Sequence, residues 1–158
     1  MTVLGLPLHP LVVHLAVVFV PLAAIAFVGV MWRAEWRRAY GSLVTSAAVV
    51  GAVGALLAAQ SGEDMEDRLR RTTGQRLDFG SHPDQGDATQ MLAIVFALVA
   101  VALWFIERRG VRGPSWLPTA AYGLGAVLAV SATVAITLTG HSGATLVWAE
   151  LGTFVTPR

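Results

Sequence analysis

Charged side chains are absent from four stretches of the chain, residues 11–31, 41–62, 88–106 and 115–149, and crowd into the segments between them. Each stretch supplies about the 20 consecutive apolar residues that a helix needs to cross roughly 30 Å of hydrocarbon. The pattern predicts four transmembrane helices, at about residues 10–32, 42–60, 88–106 and 117–139. These segments are apolar all the way round rather than along one stripe, and few polar positions remain that could face water in a soluble arrangement. The expected fold is all-α and integral to the membrane: a four-transmembrane-helix antiparallel bundle forming one domain over 1–158. It carries an outer loop at 61–87, an outer tail at 140–158 and two hairpin connections of roughly ten residues. Pro21 falls in the middle of the first span, and Pro114 and Pro118 suit a turn and a helix start before the fourth.

Arginine sets the expected orientation. The connection Trp32-Arg33-Ala34-Glu35-Trp36-Arg37-Arg38 carries three arginines, and Glu107-Arg108-Arg109-Gly110-Val111-Arg112 carries three more. The longer middle connection holds Arg68, Arg70, Arg71 and Arg76 diluted by Glu63, Asp64, Glu66, Asp67, Asp78, Asp84 and Asp87. Short arginine-dense loops stay in the cytoplasm, which puts 33–41 and 107–116 inside, and both termini and 61–87 outside. Trp32, Trp36, Tyr40, Trp104 and Trp116 then form an aromatic belt at the inner interface. No Lys or Arg precedes the first apolar run, which is longer than a signal-peptide core, so that segment is expected to be retained as a span.

Composition narrows the chemistry. The chain is 55% hydrophobic and 13% charged, about half the charge of an ordinary soluble domain. It has no cysteine, which excludes disulfides, thiolate metal sites and a cysteine nucleophile, and no lysine, which excludes Schiff-base chemistry. A net charge of +1 gives no basis for nucleic-acid binding. The spans carry no mid-membrane ionisable group, so proton-coupled transport is not expected.

The four histidines are the strongest functional signal. His9 and His14 open the first span, His82 precedes the third and His141 follows the fourth, so an up-down-up-down bundle gathers all four at its outer end. Imidazole suits haem iron, zinc, copper or nickel. His14, about four residues inside the helix entered at Pro10, is the leading candidate ligand, with His82 or His141 opposite and His9 as a further donor. Gly140-His141-Ser142-Gly143 is expected to end the fourth helix in a turn, and Ser81-His82-Pro83-Asp84 to turn into the third. Gly51, Ala55, Ala58 and Gly62 follow one face of the second helix and form either a groove for a flat macrocycle or an ordinary close helix contact. Arg68, Arg70 and Arg71 are candidate partners for haem propionates, or balance the neighbouring acids. Glu63, Asp64, Asp84, Asp87 and Glu150 cluster at the same end and would suit a mixed metal site. No His-Glu-x-x-His pattern is present, which argues against hydrolysis.

The opening Leu8-His9-Pro10-Leu11-Val12-Val13-His14, the turn Ser61-Gly62-Glu63-Asp64, His82, and the closing Gly140-His141-Ser142-Gly143-Ala144-Thr145-Leu146-Val147-Trp148 resemble a bacterial family of small four-helix predicted membrane proteins of unknown function. The resemblance spans nearly the whole chain. Ala144 stands where the family has a second glycine and Trp148 where it has a tyrosine. The family often has a further histidine where this chain reads Ala149-Glu150-Leu151. Its members resemble partners of Rieske-type and cytochrome c domains, which implies a respiratory electron-transfer setting in the bacterial cytoplasmic membrane. The function expected is an integral membrane electron-transfer protein. It would hold b-type haem through outer-face histidines and exchange electrons with a quinol or with an extracytoplasmic Rieske or cytochrome c partner. The alternative is a non-catalytic membrane anchor or assembly subunit whose histidines and carboxylates bind a single divalent metal ion or nothing. Besides the lipid bilayer, a second copy of the chain is a further candidate partner.

Overall fold

The computed structural model describes residues 2–74, 78–110 and 114–155, with side chains described from Leu4 to Trp148 within them. A two-residue ribbon comes first, β1 (Thr2–Val3) paired antiparallel with β2 (Leu6–Pro7). Leu4 and Gly5 make its turn with φ of 50° and 83°, the mirror-image turn that short hairpins favour. Four helices follow: α1 (Leu8–Met31), α2 (Ala34–Thr73), α3 (His82–Arg109) and α4 (Leu117–Val155). All four are long and apolar enough to cross a membrane.

The helix ends explain themselves locally. Gly74 and Gly110 close α2 and α3 with φ of 65° and 60°, a left-handed cap that glycine adopts without strain. Arg108 and Arg109 in the last turn of α3 complement its dipole. The amide of Leu117 bonds to Pro114 in a turn, and α4 starts there as Pro118 predicts. Two expected boundaries shift. Only Trp32 and Arg33 separate α1 from α2, so most of the expected first loop is helix. Most of the expected outer loop is helix as well: the i,i+4 pairs Glu66–Arg70 and Asp67–Arg71 accompany α2 on to Thr73, and α3 already starts at His82. The turn expected at Gly140–Gly143 is also absent. Neither glycine has positive φ, and α4 continues through them to Val155. At 1.5 Å per residue α2 and α4 are about 60 Å long, so both overshoot a bilayer at the histidine end.

Packed pairs are α1–α2, α2–α3, α3–α4 and α1–α4, which closes the helices into a ring with α1 diagonal to α3. The core is dominated by alanine: Ala16, Ala23, Ala24, Ala48, Ala52, Ala55, Ala93, Ala97, Ala100, Ala129 and Ala132 are buried, with Val20, Phe27 and Phe96 among the larger side chains. Large aliphatic side chains point outward instead; Ile25 is 71% exposed and Leu98 63%. Small residues inside and large apolar ones outside is the packing of helices in lipid, where burial of apolar area between helices gives no advantage over contact with acyl chains. The helix-2 groove envisaged from the sequence is filled by α1: a Cβ on Gly51 would stand 3.0 Å from the Val20 backbone nitrogen, and one on Gly54 2.7 Å from the Leu15 Cβ and 2.9 Å from the Ala16 nitrogen. Gly54→Ala is therefore expected to lower stability by about 1–3 kcal/mol, since backbone rather than a flexible side chain must move. Thermal unfolding in detergent, compared with Gly123→Ala, where nothing lies within 4 Å of the new Cβ, measures it.

Candidate functional site

Two of the four histidines meet. His9 and His82 lie in the first turns of α1 and α3, diagonally opposite across the bundle. Their ring centroids are 6.3 Å apart, with planes at 89°. Each ring is tethered through Nδ1 to its hairpin partner helix. Nδ1 of His9 lies 2.8 Å from the Ala58 carbonyl oxygen on α2. Nδ1 of His82 lies 3.1 Å from the Thr139 carbonyl oxygen on α4 and 3.1 Å from the Ser142 hydroxyl. A carbonyl oxygen can only accept, so Nδ1 carries a proton in both rings, and in the neutral imidazole Nε2 is the nitrogen without one. An imidazole held this way has its tautomer and orientation set for ligation.

Around His82 the polar groups form a closed set. The Ser142 hydroxyl lies 2.7 Å from Oε1 of Gln85 and donates to it, leaving its lone pairs to the imidazole. The Thr139 hydroxyl lies 2.9 Å from the carbonyl oxygens of both Gln85 and Ala135, between which its one proton is shared. That makes buried Thr89 the donor across its 2.8 Å bond to Thr139. Glycines flank both rings. A Cβ on Gly143 would stand 2.8 Å from Cε1 of His82, and one on Gly62 3.2 Å from Cε1 and Nδ1 of His9. The glycines expected to bend the chain at 140–143 thus serve a close approach.

The other expected residues lie elsewhere. His14 is exposed on α1, its Nδ1 2.7 Å from the Pro10 carbonyl oxygen of its own helix. Five residues at 100° each carry it about 140° around from His9, so the two cannot share a face. His141 is exposed on α4. Arg68, Arg70 and Arg71 stand exposed on the projecting end of α2, where Arg70 pairs with Glu66 and Arg71 lies 3.9 Å from Asp67. Glu63, Asp84 and Asp87 are exposed, Asp64 is half-buried, and the side chain of Glu150 lies outside the described residues. Among the described residues, no group of three or more histidines and carboxylates converges on one point.

The opposite end holds a second polar cluster that the sequence reading did not single out. Nε of Arg37 on α2 donates to Oε1 of Glu107 on α3 at 2.5 Å, and Nη1 donates to the Met31 carbonyl oxygen at the end of α1 at 2.6 Å. Its guanidinium sits 4.9 Å from the ring centre of Tyr122 on α4. One side chain thereby touches all four helices. At the histidine end, the sequence reading missed Gln85 and Thr139 and gave Gly62, Ser142 and Gly143 other roles, in a groove and a chain turn. The signal that could have found them is the recurrence of His-Pro at 9–10 and 82–83 and of Ser-Gly at 61–62 and 142–143.

Compared with known proteins, the chain matches none of the curated proteins and none of the solved structures. Residues 5–155 match one family, DUF2231, described as a predicted membrane protein. With nearly the whole length matched and four helices fit to span a bilayer, the chain belongs to the DUF2231 family of predicted membrane proteins.

Proposed function

We propose that the protein is a membrane electron-transfer protein that holds b-type haem between His9 and His82, at the extracytoplasmic end of the bundle. The observation that carries this reading is the diagonal imidazole pair with both Nδ1 atoms tethered and both Nε2 atoms bare. Metal–imidazole bonds are about 2.0–2.1 Å and a ring nitrogen lies about 1.1 Å from the ring centre, so two imidazoles facing one metal have centroids about 6.2–6.4 Å apart. The observed 6.3 Å fits that separation, and equally a direct edge-on contact of the two rings. Two donors also suit haem better than a free divalent ion. The macrocycle brings four equatorial nitrogens of its own, whereas a tetrahedral zinc site draws three or four ligands from the protein. Haem iron would supply one-electron chemistry when bound; His9 and His82 would hold it, and the bundle would supply orientation and an apolar surrounding. With both imidazoles at one end, exchange is confined to that face, with a quinol entering sideways or an extracytoplasmic Rieske or cytochrome c partner.

An optical spectrum of the detergent-purified protein tests the reading. A Soret band with α and β bands on reduction is expected. A colourless protein, with a single bound metal ion or with none, would overturn the haem reading and favour the alternative, a non-catalytic anchor or assembly subunit. Orientation is tested separately in this cysteine-free chain. Single cysteines at Arg38 and Arg109 should resist an impermeant thiol reagent in intact cells, while one at Arg70 should react. The reverse pattern would place the histidine end inside.

A further inference from the structure

We infer that the chain consists of two copies of one half-site, each a His-Pro helix start seated on the carbonyl-x-x-Ser-Gly segment of the following helix, and that Ser61 and Ser142 are equivalent positioning residues for the two imidazoles. The reading of His9 and His82 as a ligand pair underlies this inference; the equivalence of the halves is new. In the first hairpin, His9 bonds the Ala58 carbonyl, the Ser61 hydroxyl lies 3.1 Å from that same carbonyl, and Gly62 meets the ring. In the second, His82 bonds the Thr139 carbonyl, the Ser142 hydroxyl lies 3.0 Å from it, and Gly143 meets the ring. The histidine-to-carbonyl bonds span 49 and 57 residues. The longer α3 and the longer connection between α3 and α4 take up the difference in equal parts.

The packing has the same symmetry. Exchanging α1 with α3 and α2 with α4 maps every packed helix pair onto another, as a pseudo-two-fold axis along the bundle between His9 and His82 requires. The remaining histidines have no counterparts. The position equivalent to His14 is Asp87, and the one equivalent to His141 is Gln60. A ligand on the axis receives one Nε2 from each half. This predicts one ligand per chain, bound by two chemically matched donors, rather than two sites built from four histidines. Each serine hydroxyl lies against the carbonyl that its histidine uses while its shorter bond goes to a neighbouring oxygen, the Leu57 carbonyl at 2.6 Å for Ser61 and Oε1 of Gln85 at 2.7 Å for Ser142, and so fixes the place where Nδ1–H donates.

The experiment uses full-length protein in detergent. In the metal-free state, nitrogen-15 spectra of histidine-labelled protein should show His9 and His82 both protonated at Nδ1 and bare at Nε2. Ser61→Ala should shift the His9 resonances and Ser142→Ala those of His82. Haemin titration should give one equivalent bound. Each serine variant should weaken binding by roughly 10–100-fold, the two factors agreeing within about threefold. His9→Ala and His82→Ala should each abolish the bis-imidazole spectrum, and His14→Ala and His141→Ala should keep it. Opposite tautomers at the two rings, or a serine effect confined to one half, would overturn the equivalence. If the wild type takes up no haem, the electron-transfer reading fails alone, and the nitrogen spectra still decide the half-sites.

Discussion

Gly143→Ala should weaken haemin binding by roughly 10–100-fold. The added Cβ would stand 2.8 Å from Cε1, 3.3 Å from Nδ1 and 3.5 Å from Nε2 of His82. The ring cannot yield without lengthening its bonds to Thr139 and Ser142, which lie on the same helix as the intruding methyl. Overpacking of this kind costs about 1–3 kcal/mol, and each 1.4 kcal/mol is tenfold in affinity. Gly62→Ala should do the same to His9 more mildly, since its nearest approach is 3.2 Å. Gly140→Ala supplies the control. Nothing lies within 4 Å of its Cβ, and alanine is the better helix former, so stability should hold or rise slightly. Titration of the three variants beside their thermal unfolding separates a displaced ring from a weakened fold. Unchanged binding in Gly143→Ala would mean that the glycine is not needed to seat His82.

Arg37→Ala should destabilise the protein by about 2–3 kcal/mol without touching the histidine end. Its side chain is 20% exposed and that of Glu107 27%, which puts the pair between an exposed ion pair worth about 0–1 kcal/mol and a buried one whose breaking costs about 3–5 kcal/mol. Two further contacts go with it. The Met31 carbonyl is one of the groups that a helix end leaves unpaired, and Arg37 satisfies it. The guanidinium face over Tyr122 is lost as well. Arg37→Lys should rescue little, because a single ammonium does not reproduce the fork that reaches Glu107 and Met31 together. A double-mutant cycle with Glu107→Gln, read by unfolding in detergent, should return a coupling energy above 1 kcal/mol. Additive effects would show that the contact contributes nothing to stability.

The four spans were legible because charge cannot lie in hydrocarbon, and the gaps between charges mark the helices whatever their packing. The gathering of histidines at one end was legible for the same reason, since it needs only the alternation of up and down. Which histidines face each other was not. Helical phase within the bundle depends on how α1 seats against α2, and the backbone approaches at Gly51 and Gly54 decide that. His14 looked like the better ligand because it lies deeper along the helix, yet its phase turns it away. Gly143 was misread because glycine in sequence signals both a chain turn and a close contact, and only the position of His82 distinguishes the two. Arg37 read as one of several interfacial arginines. Its role depends on Glu107, 70 residues later in sequence, which no local pattern connects to it.

The tethers of the two imidazoles also impose an order of assembly. His9 depends on a carbonyl of α2 and His82 on a carbonyl of α4, which leaves the ribosome after the other three helices. The first imidazole can be seated as soon as one hairpin has entered the membrane. The second waits for Thr139 and Ser142. A chain halted anywhere before them holds only the first imidazole in place, so a seated His82 marks a chain whose fourth helix has been made and inserted.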